Sequence, residues 1–94
     1  MFTKNFALEM APYGILANAI APGGIITAGT SNLSADGAAD EQMKAMLEKF
    51  ARQIPLGRMG NLDDIGKVAV FLASQAADYM TGSLVVVDGG RLLA

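Results

Sequence analysis

Two apolar runs of strand character, Ile15–Ala21 and Ser83–Val87, lie far apart in the chain with two helical patterns between them. No other feature restricts the fold so far. Strands joined by a long helical crossover run parallel, whereas an antiparallel pair needs only a short hairpin, and such crossovers are right-handed. The first run is almost continuously apolar, with Asn18 its one polar residue, which predicts a strand covered on both faces. Pro22-Gly23 is expected to end it. The second run, Ser-Leu-Val-Val-Val, is β-branched and stops at Asp88 and two glycines. Two strands are too few for a stable sheet, so the far edge of the first strand asks for a neighbour from elsewhere.

Ahead of the first strand, Phe2, Phe6 and Met10 recur every fourth residue and predict a helix over residues 2–11, stopped by Pro12 and Gly14. Its start has no capping sequence, because Thr3 is followed three places on by Phe6 and not by an acid; lost upstream sequence is the expectation. Ser31–Asp40 is small and polar and predicts a loop with a turn at Asp36-Gly37. Behind Asp40 as N-cap, Met43, Met46, Leu47, Phe50 and Ile54 trace an amphipathic second helix. The connector Ile-Pro-Leu-Gly-Arg-Met-Gly leads to Asn61, which caps a third helix with Asp63 and Asp64 in its first turn. From Ile65 to Ala73 that helix is apolar on most of its circumference and is expected to be covered on more than one side. Thr81-Gly82 predicts a turn into the last strand.

Of the 94 residues, 52% are hydrophobic and 17% charged, more apolar surface than one small domain can bury by itself. A second copy of the chain, or the rest of a larger domain, is expected to cover it. The sequence has neither cysteine nor histidine, which excludes thiolate and imidazole chemistry, disulfides and the usual zinc sites. No metal site is expected. A net charge of −2 with seven scattered basic residues excludes the basic footprint of a nucleic-acid binder. No apolar stretch reaches the roughly 18 residues of a membrane span, and Lys4 and Glu9 interrupt any signal-peptide block, so a cytoplasmic protein is expected. The Pro22-Gly23-Gly24 turn invites a phosphate cradle. The spacing argues against it, since neither the three-glycine dinucleotide fingerprint nor Gly-Lys-Ser/Thr is present.

The segments TKNFALEMAPYGILANAIAPGGIIT, PLGRMGNLDDIGKVAVFLAS and YMTGSLVVVDGG together resemble the C-terminal third of the short-chain dehydrogenases/reductases, over essentially the whole chain. The resemblance implies an α/β fold, the C-terminal part of a Rossmann-type doubly wound parallel sheet, in the order helix, strand, loop, two helices, strand. Residues 1–94 then make a single partial domain with a substrate loop at about 28–60. It further implies NAD or NADP as cofactor. Pro22 would pack on the nicotinamide ring, Gly23 would let the main chain pass close to it, and the Ile25 backbone and Thr27 hydroxyl would hydrogen-bond the carboxamide. Gly66, where the family often has alanine, departs from the pattern.

The family's nucleotide fingerprint and its catalytic Ser, Tyr-x-x-x-Lys and Asn match nothing in these residues, so no catalytic residue is assigned. Tyr13 and Tyr79 are followed four places on by Ala17 and Ser83, which gives neither phenol a lysine on the same helical face. Two functions stay open. One is the C-terminal segment of an NAD(P)-dependent alcohol/carbonyl oxidoreductase, inactive alone and partnered by the missing N-terminal portion. The other is a stand-alone module that associates with its own copies as a homo-oligomer. Arg58 either clamps a phosphate or ties loops together, with the second favoured. Met43, Met46 and Met59 pack a core by default and line an apolar pocket in the alternative. Asn18 is expected to bond neighbouring backbone, and Asp88 to accept from the turn that follows it.

Overall fold

The structure, a computed structural model, describes residues 1–25 and 37–93, with residues 37–40 described by backbone alone. Helix α1 spans Phe2–Met10, strand β1 Ala19–Pro22, helix α2 Gly37–Arg52, helix α3 Leu62–Leu72 and strand β2 Leu84–Val87. The two strands pair in parallel, Ala19 opposite Leu84 and Pro22 opposite Val87. This is the expected α/β arrangement, with both helices of the crossover between the paired strands.

Helix α1 starts on Met1 with no side-chain cap, as its sequence predicts, and ends one residue early. Pro12 does not break the chain at once: Ala11–Tyr13 tighten into a 3-10 turn that closes on Gly14 at φ +72°. The Phe2–Phe6–Met10 stripe is not the buried face. Phe2 is 79% exposed and its ring stacks on Phe6 at 5.7 Å, while the buried residue is Ala7, whose methyl sits beside Gly82. A small residue is what a close crossing of helix and turn can accept.

Strand β1 begins four residues later than the apolar run suggests, at Ala19. The reason lies in where the preceding backbone bonds go. Ile15 N donates to Met10 O, Ala17 N donates to Thr81 Oγ1, and Ala17 O accepts from Gly82 N. These residues are thus committed to the helix exit and the Thr81-Gly82 turn, and Ile15 and Leu16 remain exposed. Pro22 is the last residue of the strand and not the residue after it; it lacks an N–H, and a strand end is where that is tolerated. Nor is β1 covered on both faces within these residues, since none of its positions is fully buried.

Helix α2 starts at Gly37, so Asp40 is inside the first turn and is not its N-cap. Ala38 and Ala39 explain the extension, because alanine propagates helix better than any other residue. The expected turn at Asp36-Gly37 and the loop residues 31–36 fall partly or wholly outside the described residues. Helix α3 is capped as predicted: Asn61 Oδ1 accepts from Asp64 N, and Asp64 Oδ2 accepts from Asn61 N, a reciprocal box. Its outward side is open, however. Leu62, Val70 and Phe71 are exposed, Val70 at 71%, so the predicted cover is not supplied by the described residues.

Three hydrophobic residues are buried among those described: Ala7, Ile54 and Ala77. Ile54 seals the carboxyl end of the sheet, where Gly89, at φ +65°, passes so close that a Cβ there would meet Ile54 Cγ2 at 2.7 Å. At the other end, Asn18 ties the strands together as expected: its Nδ2 donates to Met80 O and its Oδ1 accepts from Ser83 N. No helix among the described residues is long and apolar enough to cross a membrane. None of their His, Cys, Asp and Glu groups cluster to hold a metal ion.

Candidate functional site

Three turns meet at the carboxyl ends of β1 and β2: residues 22–25 after β1, the connector 54–60 between α2 and α3, and residues 88–90 after β2. Gly23 N donates to Val87 O and extends the ladder one step past Pro22. Beside it, Asp88 folds back on its own turn, its carboxylate accepting from Gly90 N at 2.9 Å and Leu92 N at 3.0 Å. This is the strand-end role expected of Asp88. The same residue accounts for Gly23, where an added Cβ would lie 2.6 Å from Asp88 Cβ and 2.9 Å from its Cα.

One residue on, the turn meets the connector. Gly60 N donates to Gly24 O at 2.9 Å, and Ile25 and Gly60 form a parallel bridge. A Cβ on Gly24 would strike the Phe50 ring and the Met59 thioether, and one on Gly60 would lie 2.6 Å from Ile25 Cδ1. Met59 therefore packs against this turn, which agrees with the default reading of that methionine. Between Gly24, Ile25, Gly60, Asp64, Asp88 and Gly89 lies a cleft of about 150 Å³.

Arg58 ties its connector to the first turn of α3, a local contact and not the expected tie between loops. Its guanidinium grips both Asp64 carboxylate oxygens, at 2.9 and 3.2 Å, and donates to Met59 O at 3.2 Å. The Arg58 bonds, followed by the Asn61 amide, hold the Asp64 carboxyl down at about 2. The same pairing pushes the Arg58 guanidinium above its ordinary value. Sequence reasoning placed Asp64 at the helix start for the sake of the dipole and missed this pairing. The signal available was an arginine and an aspartate flanking a capping asparagine.

Of the predicted cofactor residues, Pro22 and Gly23 stand exposed at the end of β1 and Ile25 is half-buried beside Gly60. Thr27 lies outside the described residues. Asp88 fills the side of Gly23 that a Cβ would take, so the surface offered outward is the Pro22 ring and bare main chain. Such a surface suits the face of a flat ring. Tyr13 and Tyr79 are both strongly exposed, far from any arrangement in which a lysine stands four residues on.

Parallel strands crossed by helices, with a glycine turn at their carboxyl ends, define part of an open α/β sheet of the kind that binds ligands at that end. Comparison with known proteins is specific. The family described as enoyl-(acyl carrier protein) reductase matches residues 1–91. A 2-dehydro-3-deoxy-D-gluconate 5-dehydrogenase from Bacillus subtilis is 49% identical over 90 residues, which is 96% of this chain and 33% of that protein. A 3-oxoacyl-(acyl-carrier-protein) reductase from Aquifex aeolicus is 44% identical over 95% of this chain and 32% of its own length. Among solved structures, an Agrobacterium tumefaciens protein described as a 2-deoxy-D-gluconate 3-dehydrogenase, with bound NADP, is 45% identical. It superposes with a TM-score of 0.75, over 99% of this chain and 35% of that one. A short-chain dehydrogenase family protein from Francisella tularensis gives 0.84 at 29% identity, over 99% and 39%. The chain belongs to the short-chain dehydrogenase/reductase family. It spans about a third of the length of the relatives it matches.

Proposed function

We propose that this chain is the C-terminal segment of an NAD(P)-dependent oxidoreductase acting on alcohol or carbonyl groups, and that it forms the nicotinamide side of the site. The observation that carries this reading is the Pro22–Ile25 turn, its Pro22 and Gly23 exposed at the carboxyl ends of parallel strands and its main chain fixed from both sides by the chain's own packing. Pro22 and Gly23 would face the ring, and the Ile25 backbone and Thr27 hydroxyl would hold the carboxamide. NAD or NADP, when bound, supplies the hydride. Residues 28–60 would face the substrate, and the proton would be handled by groups outside these 94 residues, in a cytoplasmic enzyme.

The test replaces the matching third of the Bacillus subtilis relative with this chain. A folded chimera that oxidises or reduces its substrate with NAD(P) is expected; a folded chimera that binds no dinucleotide overturns the reading. The 94-residue chain alone, given NADH or NADPH and a panel of carbonyls, is expected to show no turnover.

A second reading, association with its own copies, draws support from the open apolar side of α3 and from Leu84 and Val86 on β2. It is compatible with the first, since covering an apolar face with a second copy, an isologous contact, does not require the nicotinamide turn itself.

A further inference from the structure

The geometry points to Arg58 and Asp64 as positioning residues for the Pro22–Ile25 turn, acting through Gly60 as a clasp that sets the direction in which the chain leaves β1 toward the substrate loop. The functional half of this inference rests on the nicotinamide-side reading above; the structural half does not.

The ladder between β1 and β2 ends with Gly23 N on Val87 O, so it fixes nothing beyond Gly23. What holds the next two residues is the connector. Gly60 N reaches Gly24 O, and Gly60 bridges Ile25 in parallel, as one further rung borrowed from outside the sheet. That rung is only as firm as Gly60 itself. On one side of Gly60, Arg58 donates to Met59 O and grips Asp64. On the other, Asn61 and Asp64 exchange the two bonds of the capping box. One carboxylate thus closes a ring around Gly60 by accepting from Arg58 and from Asn61 N at once. Lack of a side chain at position 60 is part of the device, because a Cβ would press on Ile25 Cδ1.

Asp64→Asn isolates the clasp from the cap. An amide oxygen still accepts from Asn61 N but cannot take a bidentate charged pair, whereas Asp64→Glu keeps both functions, glutamate being a natural capping-box residue. Arg58→Met keeps the side chain's bulk and removes its donors. In the folded chimera, amide hydrogen exchange at Gly60 is expected to quicken about tenfold in Arg58→Met and Asp64→Asn, but not in Asp64→Glu, while the β1–β2 ladder amides keep their rates. A Gly60 amide that is unprotected in the parent, or equally protected in all four proteins, overturns the clasp. In the chimera, the two disrupting variants are expected to raise the KM for the dinucleotide about tenfold with kcat within twofold, with Asp64→Glu at the parent value. Unchanged KM with a quickened Gly60 amide overturns the positioning role. A chimera that binds no dinucleotide overturns the nicotinamide reading and leaves the clasp to be judged by exchange.

Discussion

Gly23 and Gly60 both lack a side chain because something stands where it would be, yet the obstacles differ in kind. At Gly23 the neighbour is the Asp88 backbone and Cβ; at Gly60 it is the free end of the Ile25 side chain. Backbone cannot yield, whereas a terminal methyl can rotate away. Gly23→Ala is therefore expected to destabilise by about 1–3 kcal/mol, as overpacking does, and Gly60→Ala by distinctly less; urea titration of the two variants checks the order. Asp64 provides a second test at this scale. Its carboxyl is lowered from 3.8 to about 2 in the folded chain, so its contribution to stability is complete above about pH 4 and disappears as pH falls through 2. Thermal melts between pH 2 and 6 are expected to show a steeper loss of stability for the parent than for Asp64→Asn. The difference is small, since Arg58 is more than half exposed and solvent screens the pair.

At the scale of elements, α3 has a weak point that its packing does not require. Gly66 sits mid-helix with no positive φ, and among the described residues an added Cβ would meet nothing within 4 Å beyond its own stretch of helix. Gly66→Ala is expected to stabilise by about 1 kcal/mol, which raises Tm by roughly 4–8 °C in a domain of this size; calorimetry of the single variant measures it. The elements themselves were largely legible. The Asn61 cap, the parallel pairing, the Asn18 bonds and the Asp88 turn follow from local chemistry that sequence carries: a short polar side chain before an apolar run, a β-branched stretch, a lone amide in an apolar run. The misplaced boundaries share another cause. Ile15–Asn18 have the composition of a strand, but the backbone groups of Ile15 and Ala17 go to Met10, Thr81 and Gly82, partners set by tertiary approach. The buried side of α1 was not legible for the same reason, because contact with Gly82 selects Ala7 over the larger phenylalanines. Within the candidate site, Pro22, Gly23 and Ile25 were proposed from resemblance to a family motif, while the ring formed by Arg58, Asn61 and Asp64 needed coordinates.

Over the whole molecule, surface is in excess. A compact protein of this mass has about 5,100 Å² of accessible surface, whereas this chain has 6766 Å². Its radius of gyration of 17.1 Å likewise exceeds the roughly 12 Å of a compact 94-residue domain. The surplus on this one chain is roughly twice what each partner buries in a standard protein–protein interface. Light scattering at micromolar concentration is expected to give twice the monomer mass or more, and a stable monomer there contradicts the idea that this surface is covered. The pairing of β1 with β2 has one more effect. Sixty-five residues separate Asn18 from the Ser83 amide that bonds it, so translation delivers the glycine turn long before Val87 and Asp88 exist to shape it. A nascent chain halted anywhere short of those residues has Gly23 without the Val87 carbonyl and the Asp88 backbone that fix it, so the entry to the turn is the last part of it to take shape.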